Sequence, residues 1–203
     1  MKKLVIFIMS ILAVIPALAQ DDDEALYGKG KMPFNDKGEV VFSRVINIDA
    51  DKKQIYSAMK ITIADMFKSA KDVVQMDDAE TCTMVVKGFH KVPTRGVADA
   101  IEEAEVWFTL KLQARDGRYK IDIYQIRGKT PSYVTYNIFA DDVYWPAEFL
   151  TYERTFKKPG EMDVSRKAFF RRAIIDGSNL LMHQIERGVR KNILSSVSTE
   201  EDW

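Results

Sequence analysis

The chain has one cysteine and two histidines in 203 residues. A single cysteine excludes an internal disulfide and any metal site built from several thiolates. The two histidines, His90 and His183, leave little for a Ser–His–Asp or Cys–His device, and neither has a recognisable catalytic setting. Net charge is missing as well, since 30 basic residues balance 30 acidic ones. A neutral chain sets up no long-range field toward nucleic acid or an anionic membrane. There is no G-x-S-x-G elbow, P-loop, H-E-x-x-H or dinucleotide fingerprint, so no motif implies a catalytic residue, a metal or a cofactor. No internal repeat occurs, and past the N-terminus there is no long apolar run.

That one run has a specific layout. Lys2 and Lys3 precede Leu4 to Leu18, which is apolar except for Ser10 and Pro16, and Ala17-Leu18-Ala19 supplies small residues at a cleavage site. This is the pattern of a secretory signal peptide over residues 1–19. The run is shorter than the ~20 residues a membrane span needs. No cysteine follows it to carry a lipid. The expectation is export to the periplasm or the extracellular space, with no stable membrane insertion after cleavage. What remains is long enough for one domain with a real core.

Residues 20–38 are acidic, then rich in Gly and Lys, without apolar period, and are expected to be a flexible lead. Glu39 to Asp49 is rich in β-branched residues and reads as a strand. Asp51 is placed to cap a helix with Ile55, Met59, Ile63, Met66 and Ala70 at helical spacing. That methionine-bearing stripe reads as core packing rather than a ligand groove. Two strands follow, Asp72 to Met76 and Thr81 to Phe89, joined across Asp77, Asp78 and Glu80. Matching apolar faces pairs Met76 with Cys82 and Val74 with Met84. This predicts a three-residue loop, Asp78 to Glu80, or a five-residue variant. The carboxylates then form a turn rather than a metal site, and Cys82 is a buried structural thiol.

The clearest pattern is Ala104 to Arg127. Ala104, Val106, Phe108, Leu110 and Leu112 alternate with Glu105, Trp107, Thr109, Lys111 and Gln113. Asp116-Gly117 is a two-residue hairpin turn. It sets Arg115 opposite Arg118, Leu112 opposite Ile121, Lys111 opposite Asp122, Thr109 opposite Tyr124 and Trp107 opposite Ile126. The alternation breaks where Phe108 meets Gln125, which predicts a bulge or a strand end. The aromatic segment 131–160 is less regular. It allows a strand near Ser132 to Phe139, and an ordered loop or short helix from Tyr144 to Tyr152. Asp163 is placed to cap a last helix running to about Leu194, with Phe170, Ile174, Leu181 and Ile185 as its stripe, widened by Phe169, Ala173, Leu180 and Val189. Gly177 marks a kink or a break in it. The domain then spans 39–195, and 196–203 is a frayed polar tail.

Phe67 to Phe89 and the Trp107 to Ile126 hairpin, together with the signal peptide, resemble a family of secreted bacterial proteins. That family is described as a domain of unknown function with a fold like the TATA-binding protein, and the likeness covers residues 39–130. It implies an α+β fold: a curved antiparallel sheet, with a helix after the first strand and a long C-terminal helix packed on one face. It implies no activity and no site.

Candidates for function are few. Asp141 and Asp142 with Glu148 offer the paired carboxylates of a glycosidase, although a turn accounts for them more simply. This keeps an envelope hydrolase using carboxylates of 141–153 as one rival. His183 and Glu186, three apart on a helix, are two ligands where a catalytic zinc takes three. Basic residues on the last helix tempt a nucleic-acid reading, which the signal peptide and the neutral charge oppose. The leading candidates lie on the sheet face away from the helices, at Trp107, Thr109 and Tyr124 beside Lys111 and Asp122. Tyr144 and Trp145 join them from the aromatic segment. Aromatic residues on a polar strand face point to a contact surface, unless segment 131–160 covers it. The expected role is a non-enzymatic module binding a protein or an envelope glycan, with no nucleic-acid partner. A structural subunit of an envelope assembly is the other rival.

Overall fold

The computed structural model of the chain describes residues 25–28, 30–67, 70–95, 100–130, 143–150 and 164–200. The signal-peptide segment, the strand expected at 132–139, Asp141, Asp142 and the Asp163 cap lie outside them. The elements are β1 (Phe42–Asn47), α1 (Lys52–Met66), the single-turn α2 (Ala70–Val73), β2 (Val74–Asp78), β3 (Thr83–Arg95), β4 (Ile101–Arg115), β5 (Arg118–Thr130), β6 (Val143–Pro146), a 3-10 turn (Ala147–Leu150) and α3 (Val164–Glu200).

All described strand pairs are antiparallel. The sheet runs β1-β5-β4-β3-β2, and β6 joins the same side of β5 as β1. β1 takes Arg118 to Ile123, and β6 takes Arg127 to Thr130. Between them lies the break in the β4–β5 ladder. Thr109 pairs with Tyr124 but Trp107 pairs with Arg127, so β5 carries one extra residue opposite Phe108. Gln125 sits there at φ 52. The bulge falls where the alternation predicted it, and it moves Trp107 from Ile126 to Arg127.

At the other end, Arg115 pairs with Arg118 across Asp116-Gly117, and Gly117 has φ 73. A left-handed residue here is what a tight hairpin turn requires, and glycine takes it without a Cβ penalty. The tip is tied to the start of α1. Gly117 N–H donates to Ala50 O at 3.0 Å, and Lys52 N–H donates to Asp116 Oδ1 at 2.9 Å. Asp51 then closes a capping box with Gln54, satisfying the free N–H groups of the first turn.

α1 and α3 pack together and cover one face of the sheet. From α1, Ile55, Met59 and Ile63 are buried there. From the sheet come Met84, Val86, Leu110, Leu112, Ile121 and Ile123. α3 supplies Phe170, Ile174, Leu181, Ile185 and Val189. Leu180, expected to widen that stripe, is instead 53% exposed. α3 is not broken at Gly177. It is helical over 37 residues, ~55 Å at 1.5 Å per residue, and passes Leu194 to reach Glu200. At Gly177 α3 lies close against β3. A Cβ there would stand 2.5 Å from His90 Nε2 and 2.8 Å from Val92 Cγ2. The expected stripe of α1 also ends sooner, because Phe67 is extended and Ala70 opens α2.

Two further expectations are corrected. Part of the 20–38 lead folds back on the core. Met32 is buried, Phe34 bridges Val40, and the Tyr27 hydroxyl donates to Asp176 at 2.9 Å. The first hairpin has a four-residue turn, Ala79 to Cys82, with Asp78 opposite Thr83, Asp77 opposite Met84 and Met76 opposite Val85. Met76 is 41% exposed, not packed against Cys82. Cys82 is buried, but as the last turn residue, at φ 50.

Candidate functional site

The acidic triplet divides into different jobs. Asp78 closes the turn. Its Oδ1 accepts the N–H of Glu80 and Thr81 at 3.0 and 3.2 Å, and its Oδ2 accepts the Thr81 hydroxyl at 2.6 Å. These bonds hold its carboxyl below the usual range. Asp77 points back to α1. It accepts the Tyr56 hydroxyl and the Lys60 ammonium, the latter at 2.6 Å. The lysine first, then the tyrosine, lower its pKa. Burial and the hydrogen bond to Asp77 raise that of the Tyr56 phenol. Among the described residues no group of three or more His, Cys, Asp or Glu side chains is placed to hold a metal. Glu148 is committed to the backbone, where its Oε1 accepts the Val40 N–H at 2.8 Å. Glu186 is paired with Arg190 at 3.1 Å.

The second face of the sheet offers more. Strand alternation places Lys87 and Phe89 of β3, Glu105, Trp107, Thr109 and Lys111 of β4, and Asp122, Tyr124, Arg127 and Lys129 of β5 on the face away from the helices. Phe89 pairs directly with Trp107, and their rings stack with centroids 4.8 Å apart. Tyr144 of β6 presents its ring edge-on to Trp107 at 5.7 Å. Tyr144 is 40% and Phe89 44% exposed, while Trp107 between them is half-buried. Glu105 fixes the indole, because its Oε1 accepts Trp107 Nε1–H at 2.7 Å and meets Lys129 Nζ at 3.2 Å. The result is an aromatic ridge across β3, β4 and β6 in a fixed orientation.

The expected residues are only partly brought together. Trp107 and Tyr144 are in contact. Tyr124 shares their face and is half-buried. Thr109 is on the face but only 4% exposed, because the bulged Gln125 reaches over it and their side chains bond at 2.8 Å. Trp145 is on the other side, since it pairs with Gly128 and packs against the core. Phe89 is the residue sequence reasoning overlooked. Its parity with Val85 and Lys87 was the available signal. Beside the ridge, Lys87, Trp107, Thr109, Gln125, Arg127 and Tyr144 line an open recess of about 280 Å³.

The fold and this face define a class: an α+β protein with an open six-stranded antiparallel sheet and its helices gathered on one side, the TBP-like arrangement. Residues 42–129 match the family described as a domain of unknown function (DUF4468) with TBP-like fold, and over that stretch the chain carries a domain of that family. A DUF4468 family protein from Bacteroides ovatus has a solved structure similar to this one, with a TM-score of 0.60 at 19% identity, over 82% of this chain and 94% of that one. A TBP-like protein from Parabacteroides distasonis is similar with a TM-score of 0.60 at 13% identity, over 79% of this chain and 97% of that one. At such identities the likeness is one of fold. No curated protein matches the chain.

Proposed function

We propose that the protein is a non-enzymatic binding module that meets a protein or glycan partner through the helix-free face of its sheet. The observation that carries this reading is the Phe89–Trp107–Tyr144 ridge, with its outer rings two-fifths or more exposed and its central indole pinned by Glu105. A cross-strand aromatic pair steadies a sheet by at most about 1 kcal/mol, and the exposure of the outer rings on the solvent side goes beyond that need. Rigid aromatic side chains lose little entropy on contact, which is why they anchor interfaces. The signal-peptide pattern of residues 1–19 supports placing that partner outside the cytoplasm. The hydrolase reading draws little support from Glu148, whose carboxylate already holds the Val40 N–H.

The test is capture from an envelope extract by the immobilised protein, compared with a Phe89→Ala/Trp107→Ala variant that keeps its far-ultraviolet dichroism. A partner retained by the wild type and lost from the variant is expected. Equal retention by both, or retention by neither, overturns the reading.

A further inference from the structure

We infer that the recess beside the aromatic ridge binds an acidic sugar unit of an anionic glycan, with Lys87 and Arg127 taking its carboxylate and Trp107 and Tyr144 walling its ring. This rests on the binding-face reading and names the ligand chemistry for it.

Charge comes first. On the helix-free face of the three central strands, each carboxylate is already matched: Glu103 with Lys91 at 3.3 Å, Asp122 with Lys120 at 2.9 Å and Glu105 with Lys129 at 3.2 Å. Lys87, Lys111, Arg115, Arg118 and Arg127 remain on that side or its turn with no carboxylate partner among the described residues. The chain as a whole is neutral, so this surplus is local. Two of the five, Lys87 on β3 and Arg127 on β5, line one recess from either side of β4. An arginine fork and an ammonium facing one space suit a carboxylate.

Shape narrows the ligand. The recess, about 280 Å³, is at the small end of ligand pockets, which run about 300–1,000 Å³, and has room for one ring-sized unit. It lies over central strands whose backbone groups are committed to their ladders. An extended peptide takes its main-chain bonds from a free sheet edge, whereas the floor of this recess is β4 and β5, and the edge strand β6 contributes only the Tyr144 ring. Recognition must come from side chains: ring against ring, cation against anion, and, for a sugar hydroxyl, the amide nitrogen of Gln125, whose oxygen already accepts the Thr109 hydroxyl. An acidic peptide side chain has no ring for Trp107 and Tyr144. A nucleic acid would satisfy both features, but it is drawn by a long basic track and a strongly positive domain, and this chain is neutral.

Calorimetry on the whole protein decides it. The probes are galacturonate, mannuronate and hyaluronate oligomers of about four to six sugars, the methyl-esterified galacturonate oligomer, an oligothymidylate and hexaglutamate. At least one acidic oligosaccharide is expected to bind. For the galacturonate oligomer, where that is the binder, esterification should weaken binding tenfold or more; otherwise reduction of the bound oligomer's carboxylates to alcohols should do so. Lys87→Ala/Arg127→Ala should weaken it at least tenfold, and Lys111→Ala, outside the recess, less than twofold. Binding of none of the acidic oligosaccharides, equal binding of the neutralised form, indifference to the double substitution, or tighter binding of oligothymidylate or hexaglutamate overturns the assignment. Failure here with Phe89- and Trp107-dependent capture intact removes the ligand and leaves the binding face standing.

Discussion

The two faces of this sheet are made by the same strands and differ in almost everything else. On the helix side, Leu110, Leu112, Ile121 and Ile123 are fully buried against α1 and α3. On the other, Lys111, Gln113, Asp122 and Tyr124 alternate with them and stay partly exposed. One face holds the fold together by area removed from water. The other carries ion pairs and aromatic rings that stay partly exposed, and it is the face proposed to meet a partner. Neighbouring residues on a strand should therefore report different things when changed. Leu110→Ala should cost about 2–5 kcal/mol, the range for truncating a well-packed buried leucine. Lys111→Ala, one position along, should stay within about 0.5 kcal/mol. Urea unfolding of both variants measures the contrast, and similar costs would erase the distinction between the faces.

The helix-covered face is not wholly apolar, and His90 sharpens the comparison. Its ring is packed near Phe108, with centroids 5.2 Å apart, and its Nε2 has no hydrogen-bond partner. Burial pushes its pKa down to about 4. The folded protein thus resists a proton that the unfolded chain, titrating near 6.5, accepts. Stability is complete above about pH 6.5 and falls as pH drops toward 4, by about 3 kcal/mol over that window. In His90→Leu the slope between these values should flatten. An unchanged slope would place the titration elsewhere.

Residue by residue, legibility followed how locally each feature is determined. The β4–β5 hairpin was readable to the register because Asp116-Gly117 sets it within two residues and alternation confirms it on both strands. Even the bulge was visible, since Gln125 opposite Phe108 would have put an amide in the core. The β2–β3 register was not readable. Face matching presumes that both strands bury the same set, whereas β2 is a five-residue edge strand with a bulge between Val74 and Met76. Its helix-side position at Asp77 meets Tyr56 and Lys60 at the edge of α1, so a carboxylate can stand opposite buried Met84. For the candidate site, Trp107 and Tyr124 came from the hairpin pattern. Tyr144 and Trp145 could not be sorted onto faces, because the sequence between Thr130 and Val143 holds no two-residue turn motif from which a β5–β6 register could be read.

Gly177 tests how closely the covered face is packed. In an exposed helix, Gly→Ala is worth roughly 1 kcal/mol of added stability. Here the new methyl would stand 2.5 Å from His90 Nε2 and 2.8 Å from Val92 Cγ2, and overpacking typically costs about 1–3 kcal/mol. Gly177→Ala should therefore cost up to about 2 kcal/mol net, instead of stabilising the helix. With His90→Ala as background the same change should cost less, since the ring is gone and only the contact with Val92 Cγ2 remains to be relieved. Additive effects in the double variant would show that His90 and Gly177 do not share the strain.

A smaller effect than that of Gly177 belongs to the margin where the covered face meets solvent. Asp77 joins Tyr56 and Lys60 of α1 to the edge strand, and both partners hold its carboxylate ionised to lower pH than usual. Its contribution is present above the unfolded carboxylate pKa, near 3.9, and is lost as pH falls through the lower folded value. That window lies below the one assigned to His90, so the two titrations separate on one curve. The Lys60–Asp77 pair is largely exposed, with side-chain exposures of 48% and 37%, and water screens it. Asp77→Asn keeps a group that can accept the tyrosine hydroxyl and should cost at most about 1 kcal/mol. A loss several times larger would mean that the edge strand is held to α1 by this carboxylate rather than by its ladder with β3. The covered face would then depend on a charged margin as much as on its apolar interior.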